Sequence, residues 1–276
     1  MMLSANRADE LATAEGPGEL WREITEHGER VARTERALSG LLERHVLRHR
    51  CLPAALADIL ARKLSEDDVP AGELELLFGD VMRGDPGIAA SAVADLLAIR
   101  DRDPASANLL DPFLNYKGFQ ALQAHRIAHA LWQAGRCEMA RYLQSRASEV
   151  FAVDIHPAVP VGRGVFIDHA TGLVVGETAV IGNDVSILQG VTLGGTGKET
   201  GDRHPKVRDG VLLAAGAKIL GNIEIGRGAK VGAGSVVLSP VPPCATVAGV
   251  PARIVGWCRD MIPALAMDQS LPKPQG

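Results

Sequence analysis

Aromatic side chains are scarce in this chain: three Trp, two Tyr and five Phe in 276 residues. So few rings do not build an aromatic-rich core. Neither charge sign dominates, with 29 Lys and Arg against 33 Asp and Glu and a net charge of -4. The chain therefore offers no global basic field for nucleic acid. Cysteine is sparse as well. Cys51, Cys137, Cys244 and Cys258 lie far apart with no CxxC, which implies neither a disulfide framework nor a zinc ribbon and points to a reducing cytoplasm. No run of 18 apolar residues is present, so no transmembrane helix is expected. The first residues, MMLSANRADELATAEG, lack the apolar stretch of a secretory signal. What is abundant is apolar aliphatic residues, within a 46% hydrophobic total that excludes wholesale disorder, and glycine, at 30 residues. The length suits one large domain or two ordinary ones.

The glycines are not spread evenly. Nineteen of the 30 fall between Phe151 and Gly256, a stretch whose only aromatics are Phe151 and Phe166. Two materials thus meet near residue 150. Residues 20–150 carry Leu/Ala/Arg/Glu segments at helical spacing. Leu38, Leu41, Leu42 and Val46 form one stripe over 35–50. Pro53 opens a helix, PAALADILARKL. Ser65 before Glu-Asp-Asp reads as an N-cap. Further helices are expected over 87–100, 118–135 with Gly135 at its C-terminal cap, and 136–151. The division is 1–19 polar and frayed, 20–150 helical, 151–256 a glycine-rich stretch of a different kind, and 257–276 a tail.

After Val153 the helical period gives way to a period of six. Ile155, Val161, Ile167, Val175, Ile181, Ile187, Leu193, Val207, Leu213, Ile219, Ile225, Val231 and Val237 mark it, and a second small or aliphatic residue follows each by four. Hexapeptide repeats signify a parallel β-helix, in which three hexads make one triangular coil and one aliphatic per hexad fills a narrow shaft. An ordinary glycine-rich sandwich does not account for thirteen in-register aliphatics. The repeat breaks twice: the step from Ile167 to Val175 is eight residues, and that from Leu193 to Val207 is 14. Insertions in a solenoid leave one face as loops, and such loops carry function.

Polar chemistry collects at the breaks. His169 stands at the first. Asp154, 15 residues earlier and so about one coil away, is placed to orient its imidazole as a base for a hydroxyl proton. The second break holds Arg203 and His204, and an Arg can clamp a carboxylate. Upstream, Asp103 precedes Pro104 where a helix must end; it either binds an ammonium or caps the turn, and the residues alone favour the cap. His125 and His129 share a helix face, but Arg126 replaces the Glu of a zinc protease motif, so packing or polar contacts are expected of them. His156 shows no metal-ligand spacing.

VDIHPAVPVGRGVFIDHATGLVVGETAVIGNDVSILQGVTLGGTGK, GDRHPKV, GAKILGNIEIGRGAKVGAGSVVL, AGVPARIVG, RDRDPA and YKGFQALQAHRIAHALW together resemble bacterial serine acetyltransferase, over roughly residues 20–258. The resemblance implies an α+β protein, an N-terminal all-α domain followed by a left-handed parallel β-helix of hexapeptide repeats, with 20–150 the oligomerisation domain and 151–256 the catalytic one. It also implies transfer of acetyl from acetyl-CoA to the L-serine hydroxyl in cysteine biosynthesis, with no metal. His169 matches the family's base and Asp154 its partner. Asp103 and Asp168 match the holders of the serine ammonium, and Arg203 and His204 those of its carboxylate. Gly195, Thr196, Ala215, Lys230 and Ala233 fall where coenzyme A lies. Inhibition by L-cysteine at the serine site is implied, as is a homotrimer with sites between subunits or a hexamer of two trimers. One departure concerns the tail. Many members end in an isoleucine that inserts into O-acetylserine sulfhydrylase, whereas MDQSLPKPQG ends in Gly276, which weakens the expectation of that complex and of tail-dependent inhibition. The competing readings are an acetyltransferase for homoserine or a sugar, a β-helical carbonic anhydrase needing three convergent histidines, and an inactive hexapeptide scaffold.

Overall fold

The computed structural model describes residues 17–197, 199–258 and 262–271. The frayed segment expected at 1–19 lies outside the described residues up to residue 16, and from Pro17 the chain is helical. Helix α1 (Pro17–Thr34) buries Leu20, Trp21 and Ile24 along one side. Helix α2 (Arg36–Leu42) widens into a π-helical turn (Glu43–Leu47). The expected apolar stripe is only half covered: Leu42 and Val46 are buried, but Leu38 and Leu41 are 44% and 43% exposed. The cause is the contact with α1, which is made through one edge. There Gly28 lies against Leu42, Val46 and Leu47.

Helix α3 (Leu52–Leu64) starts with Pro53 in its first turn, as expected. Ser65 ends this helix instead of opening another, because Glu66 and Val69 bridge across the intervening Asp67-Asp68 and close a turn. Helix α4 (Ala71–Gly84) was not anticipated. Helix α5 (Pro86–Arg102) is capped by the Asp85 carboxylate, which accepts from the Gly87 N–H at 2.9 Å. Helices α6 (Leu110–Asn115), α7 (Lys117–Gln133) and α8 (Cys137–Phe151) follow, with left-handed Gly135 after α7. Ala152, also left-handed, turns α8 directly into the first strand.

Thirteen short strands wind as the left-handed parallel β-helix. The first face stacks β1 (Val153–Ile155), β3 (Leu173–Val175), β6 (Thr192–Gly194), β9 (Lys218–Leu220) and β12 (Val236–Val237). The second stacks β4 (Val180–Ile181), β7 (Lys206–Val207) and β10 (Glu224–Ile225). The third stacks β2 (Phe166–Ile167), β5 (Ser186–Ile187), β8 (Leu212–Leu213), β11 (Lys230–Val231) and β13 (Ala245–Gly249). The repeat aliphatics stack in register: Ile155 on Val175, Val175 on Leu193, Leu193 on Ile219, and Ile219 on Val237. At the corner between the third and first faces, Gly172, Gly190, Gly216 and Gly234 all have positive φ and lie on top of one another. A Cβ there would incur the left-handed penalty, which is what keeps these corners glycine.

The N-terminal end of a parallel β-helix presents unpaired backbone groups, and helix α7 covers it. His125 Nε2 donates to the Val159 carbonyl at 3.0 Å and His129 Nδ1 to that of Pro157 at 2.8 Å. Arg126 donates to the carbonyls of Val161 and Gly162. Buried Asp95 of α5 accepts from Arg126 at 2.8 Å, from Gln123 at 3.0 Å and from the Val165 N–H at 2.9 Å. The two histidines are thus the polar contacts the sequence suggested.

At the other end β13 pairs antiparallel with β14 (Ala252–Trp257). This hairpin corrects the cysteine reading: Cys244 and Cys258 form a disulfide, with their Cα atoms 5.1 Å apart. A separation of 14 residues leaves no local signature, and only the hairpin brings the two together. It also removes one argument for a reducing compartment. Beyond it, Ile262, α9 (Pro263–Ala266) and Met267–Leu271 lie on the third face, where Ser186 Oγ donates to the Ala264 carbonyl.

Candidate active site

The predicted polar residues separate into two groups at opposite edges of the first face. The acidic group lies where the third face turns into the first. The eight-residue step is absorbed here by His169 and Ala170, both left-handed, in a tight turn where the Ala170 N–H meets the Asp168 carbonyl and the Thr171 N–H that of His169. Two non-glycine residues in that region store strain of about 1–3 kcal/mol each, which the packing of the turn must offset. The turn pushes the His169 ring into solvent, its side chain 72% exposed and its Nε2 3.8 Å from Asp168. Burial raises the pKa of Asp168; His169 opposes the rise and the neighbouring Asp103 carboxylate adds to it. Asp103 itself ends α5. Its Oδ1 accepts from the Ala105 N–H at 2.8 Å, the expected cap, and its Oδ2 from the Tyr116 hydroxyl at 2.9 Å. A cleft of about 540 Å³ opens on Asp103 and Asp168, with Phe166, Met267 and Gln269 also lining it.

The basic group lies where the first face turns into the second. Arg203 and His204 close the long insertion and pack on Glu177 and Thr178 of the coil below. Arg203 Nη2 donates to Glu177 at 2.8 Å and lowers the pKa of that carboxyl. The Thr178 hydroxyl oxygen accepts from the backbone N–H groups of Arg203 and His204 at 3.0 and 3.1 Å. His204 is buried, and that burial, aided by the Arg203 charge, lowers its pKa and keeps the ring neutral. Its Nδ1 accepts from the Thr178 N–H at 3.1 Å and meets the Thr178 hydroxyl at 2.8 Å. The proton of the neutral ring is thereby assigned to Nε2, a donor suited to an anionic ligand. The ring fits only because residue 176 is glycine: a Cβ there would fall 2.1 Å from His204 Nε2.

Asp154 and His169 are not hydrogen-bonded to each other in this chain. At the first coil the register step is 20 residues, so Val174 rather than His169 lies beside Asp154. Asp154 Oδ1 accepts from Gln144 of α8 at 2.7 Å. The residues matched to coenzyme A are also divided. Gly195 and Thr196 begin the long loop, Ala215 and Ala233 occupy corners between the third and first faces, and Lys230 lies on the third face. Lys230 is turned under the tail, donating to the carbonyls of Asp268 and Ser270 at 3.1 and 2.6 Å.

Sequence reasoning missed Tyr116, Gln144, Glu177 and Thr178. The last two had a signal, since they lie at the corner beneath the long insertion. The first two had none, because they reach Asp103 and Asp154 from separate helices. A hollow of about 850 Å³ between α4, α5 and α7 is remote from both groups. Among the described residues no set of three or more His, Cys, Asp or Glu is arranged to hold a metal.

Residues 20–124 match the family model for the serine acetyltransferase N-terminal region, and residues 204–239 match the bacterial transferase hexapeptide repeat. The chain is 54% identical over 250 residues to serine acetyltransferase of Escherichia coli K12, covering 91% of this chain and 92% of that protein. It is 51% identical over 251 residues to the Haemophilus influenzae enzyme, covering 91% and 94%. Among solved structures, serine acetyltransferase from Vibrio cholerae superposes with a TM-score of 0.91 at 49% identity, over 92% of this chain and 99% of that one. A serine acetyltransferase in complex with cysteine gives 0.90 at 51%, over 92% and 99%. The Brucella abortus enzyme in complex with coenzyme A gives 0.86 at 50%, over 88% and 97%, and the soybean enzyme complexed with serine 0.85 at 54%, over 87% and 98%. The shared helical region, repeat and near-complete coverage place this chain in the serine acetyltransferase family, as an acetyl-CoA-dependent acetyltransferase.

Proposed function

We propose that the protein transfers the acetyl group of acetyl-CoA directly to the L-serine hydroxyl, giving O-acetyl-L-serine and CoA for cysteine biosynthesis in the cytoplasm. The observation that carries this reading is the charge of the two groups. An acidic pair, Asp103 and Asp168, and a basic pair, Arg203 and His204, match the two ends of a zwitterionic amino acid. His169 takes the hydroxyl proton as the serine oxygen bonds to the thioester carbonyl carbon. The carbon–sulfur bond then breaks, and the imidazolium returns the proton to the leaving thiolate. Asp154 serves as the orienting carboxylate once the exposed His169 ring turns toward the first face. Holding both substrates together supplies much of the acceleration, so no acetyl-enzyme is required.

Within one chain the two groups lie beyond opposite ends of a three-residue strand, which alone spans about 10 Å. The reading therefore includes a homotrimer, itself able to pair into a hexamer, in which the acidic group of one subunit faces the basic group of the next. Gly195, Thr196, Ala215 and Ala233 are small residues that leave room for coenzyme A along this seam. Lys230 joins them only if the tail lifts. Cysteine, which shares both charged ends of serine, is the expected inhibitor, in keeping with the solved relative that holds it. O-acetylserine sulfhydrylase is not assigned as a partner.

The test measures CoA release from acetyl-CoA with L-serine, homoserine or a sugar, with and without cysteine. Serine is expected to be the preferred acceptor, cysteine to compete with it, and His169→Ala to lower turnover by about 10²–10⁴-fold. No CoA release with L-serine, an isolable acetyl-enzyme, or a fully active His169→Ala protein would each overturn the reading.

A further inference from the structure

We propose that Tyr116 is a positioning residue for the acceptor's ammonium group, acting through Asp103, and that the start of α7 braces the acidic half of the site. This inference rests on the proposed function. Three consecutive residues carry it. The Tyr116 hydroxyl donates to Asp103 Oδ2 at 2.9 Å. Lys117 Nζ donates to Thr171 Oγ1, in the same turn as His169. Gly118 presses directly on the carbonyl of Ile167, the residue before Asp168; a Cβ at position 118 would lie 2.1 Å from that oxygen. Tyr116, Lys117 and Gly118 therefore touch both segments that supply the acidic pair, the end of α5 and the turn after β2, and lock them to one helix.

The chemistry suits an ammonium ligand. A carboxylate has about four lone-pair sites, so the bonds from Ala105 N–H and Tyr116 O–H fix both oxygens of Asp103 and leave further sites for an ammonium donor. Two carboxylates at close quarters repel, and an unheld Asp103 would swing away from Asp168. The Tyr116 bond opposes that. Burial and the Asp103 charge raise the pKa of the phenol, which stays a neutral donor through the working range and never adds a third negative charge.

The experiment compares Tyr116→Phe with wild type in the full chain, varying L-serine and acetyl-CoA separately and adding 3-hydroxypropionate, which lacks the amino group, as a second acceptor. Loss of one hydrogen bond to a charged group is expected to raise the serine KM about tenfold, with kcat and the acetyl-CoA KM within about twofold. The preference for serine over 3-hydroxypropionate should fall by about the same factor, and Tyr116→Phe should have no further effect in an Asp103→Asn background. If wild type releases CoA with serine and Asp103→Asn raises the serine KM, but Tyr116→Phe leaves it unchanged, the role of Tyr116 falls while the functional reading stands. If kcat and the melting temperature fall and both KM values rise together in Tyr116→Phe, the residue is merely structural and the proposal fails. A wild-type protein inactive on serine overturns both.

Discussion

His204 shows how a single absent side chain can set the chemistry of a site. Thr178 supplies the hydrogen bonds that choose its tautomer, and Gly176 supplies the space. Gly176→Ala would place a methyl group within 2.1–2.7 Å of three ring atoms, so the imidazole must leave the Thr178 donor. The expected outcome is a serine KM raised at least about tenfold, with the acetyl-CoA KM little changed, measured from initial rates. His125 makes a second prediction at this scale. Burial first, then His129, lowers its pKa to about 3, far below an unfolded value of about 6.5. The unfolded chain binds the extra proton, so this contribution is fully present above pH 6.5 and is lost as pH falls toward 3. The ceiling is about 5 kcal/mol, at about 1.4 kcal/mol per pH unit. His125→Gln keeps a donor for the Val159 carbonyl and should flatten the pH dependence of the urea midpoint between pH 6.5 and 4; an unchanged slope would mean that His125 is not the group titrating. Neither residue's environment was readable from its neighbours in the chain. That Arg203 and His204 are candidates was readable, because they stand in a break of a strict period. That Thr178 determines the tautomer was not, because the contact spans 26 residues.

At the scale of elements, legibility followed periodicity. A six-residue period is visible residue by residue, and twelve of its thirteen marker aliphatics are buried, with Val161 only half so at the first coil. Helix α4 went unseen because its buried residues, Leu74, Phe78 and Met82, are flanked by Leu76, which is 66% exposed, and by glycines that read as turns. The stripe over 35–50 was visible but overstated, since periodicity says which residues share a face and not whether a neighbour covers them. The β13–β14 hairpin lies beyond the repeat and carries the one disulfide among the described residues. Closing a loop of that size is worth about 3 kcal/mol in the chain-entropy account. Reductant should therefore lower the thermal midpoint of wild type and leave Cys258→Ser unaffected, a difference scanning calorimetry resolves. An identical response in both would show that the Cys244–Cys258 bond does not carry the effect.

For the whole molecule, the helical region is more than an appendage. It covers the open end of the β-helix through Asp95, His125, Arg126 and His129, and it delivers Asp103 and Tyr116 to one edge of the first face. The opposite edge carries Arg203 and His204 on the coil that holds the long insertion. The breaks in the repeat located His169 and the Arg203-His204 pair but not their placement at opposite edges of one face, because linear spacing does not say which corner of a triangular coil a residue occupies. If neighbouring subunits complete each other's sites, two inactive chains should rescue one another. Refolding His169→Ala with Arg203→Ala in equal amounts places an intact His169 opposite an intact Arg203 at about one quarter of the head-to-tail interfaces of a ring. Turnover of about a quarter of wild type is then expected from the mixture, and almost none from either variant alone. The same recovery should be absent when the two chains are folded separately and mixed as preformed oligomers. A co-refolded mixture no more active than its parents would place both groups of each site on a single chain. The length of β3 between them, about 10 Å, would then have to be closed by movement within the subunit.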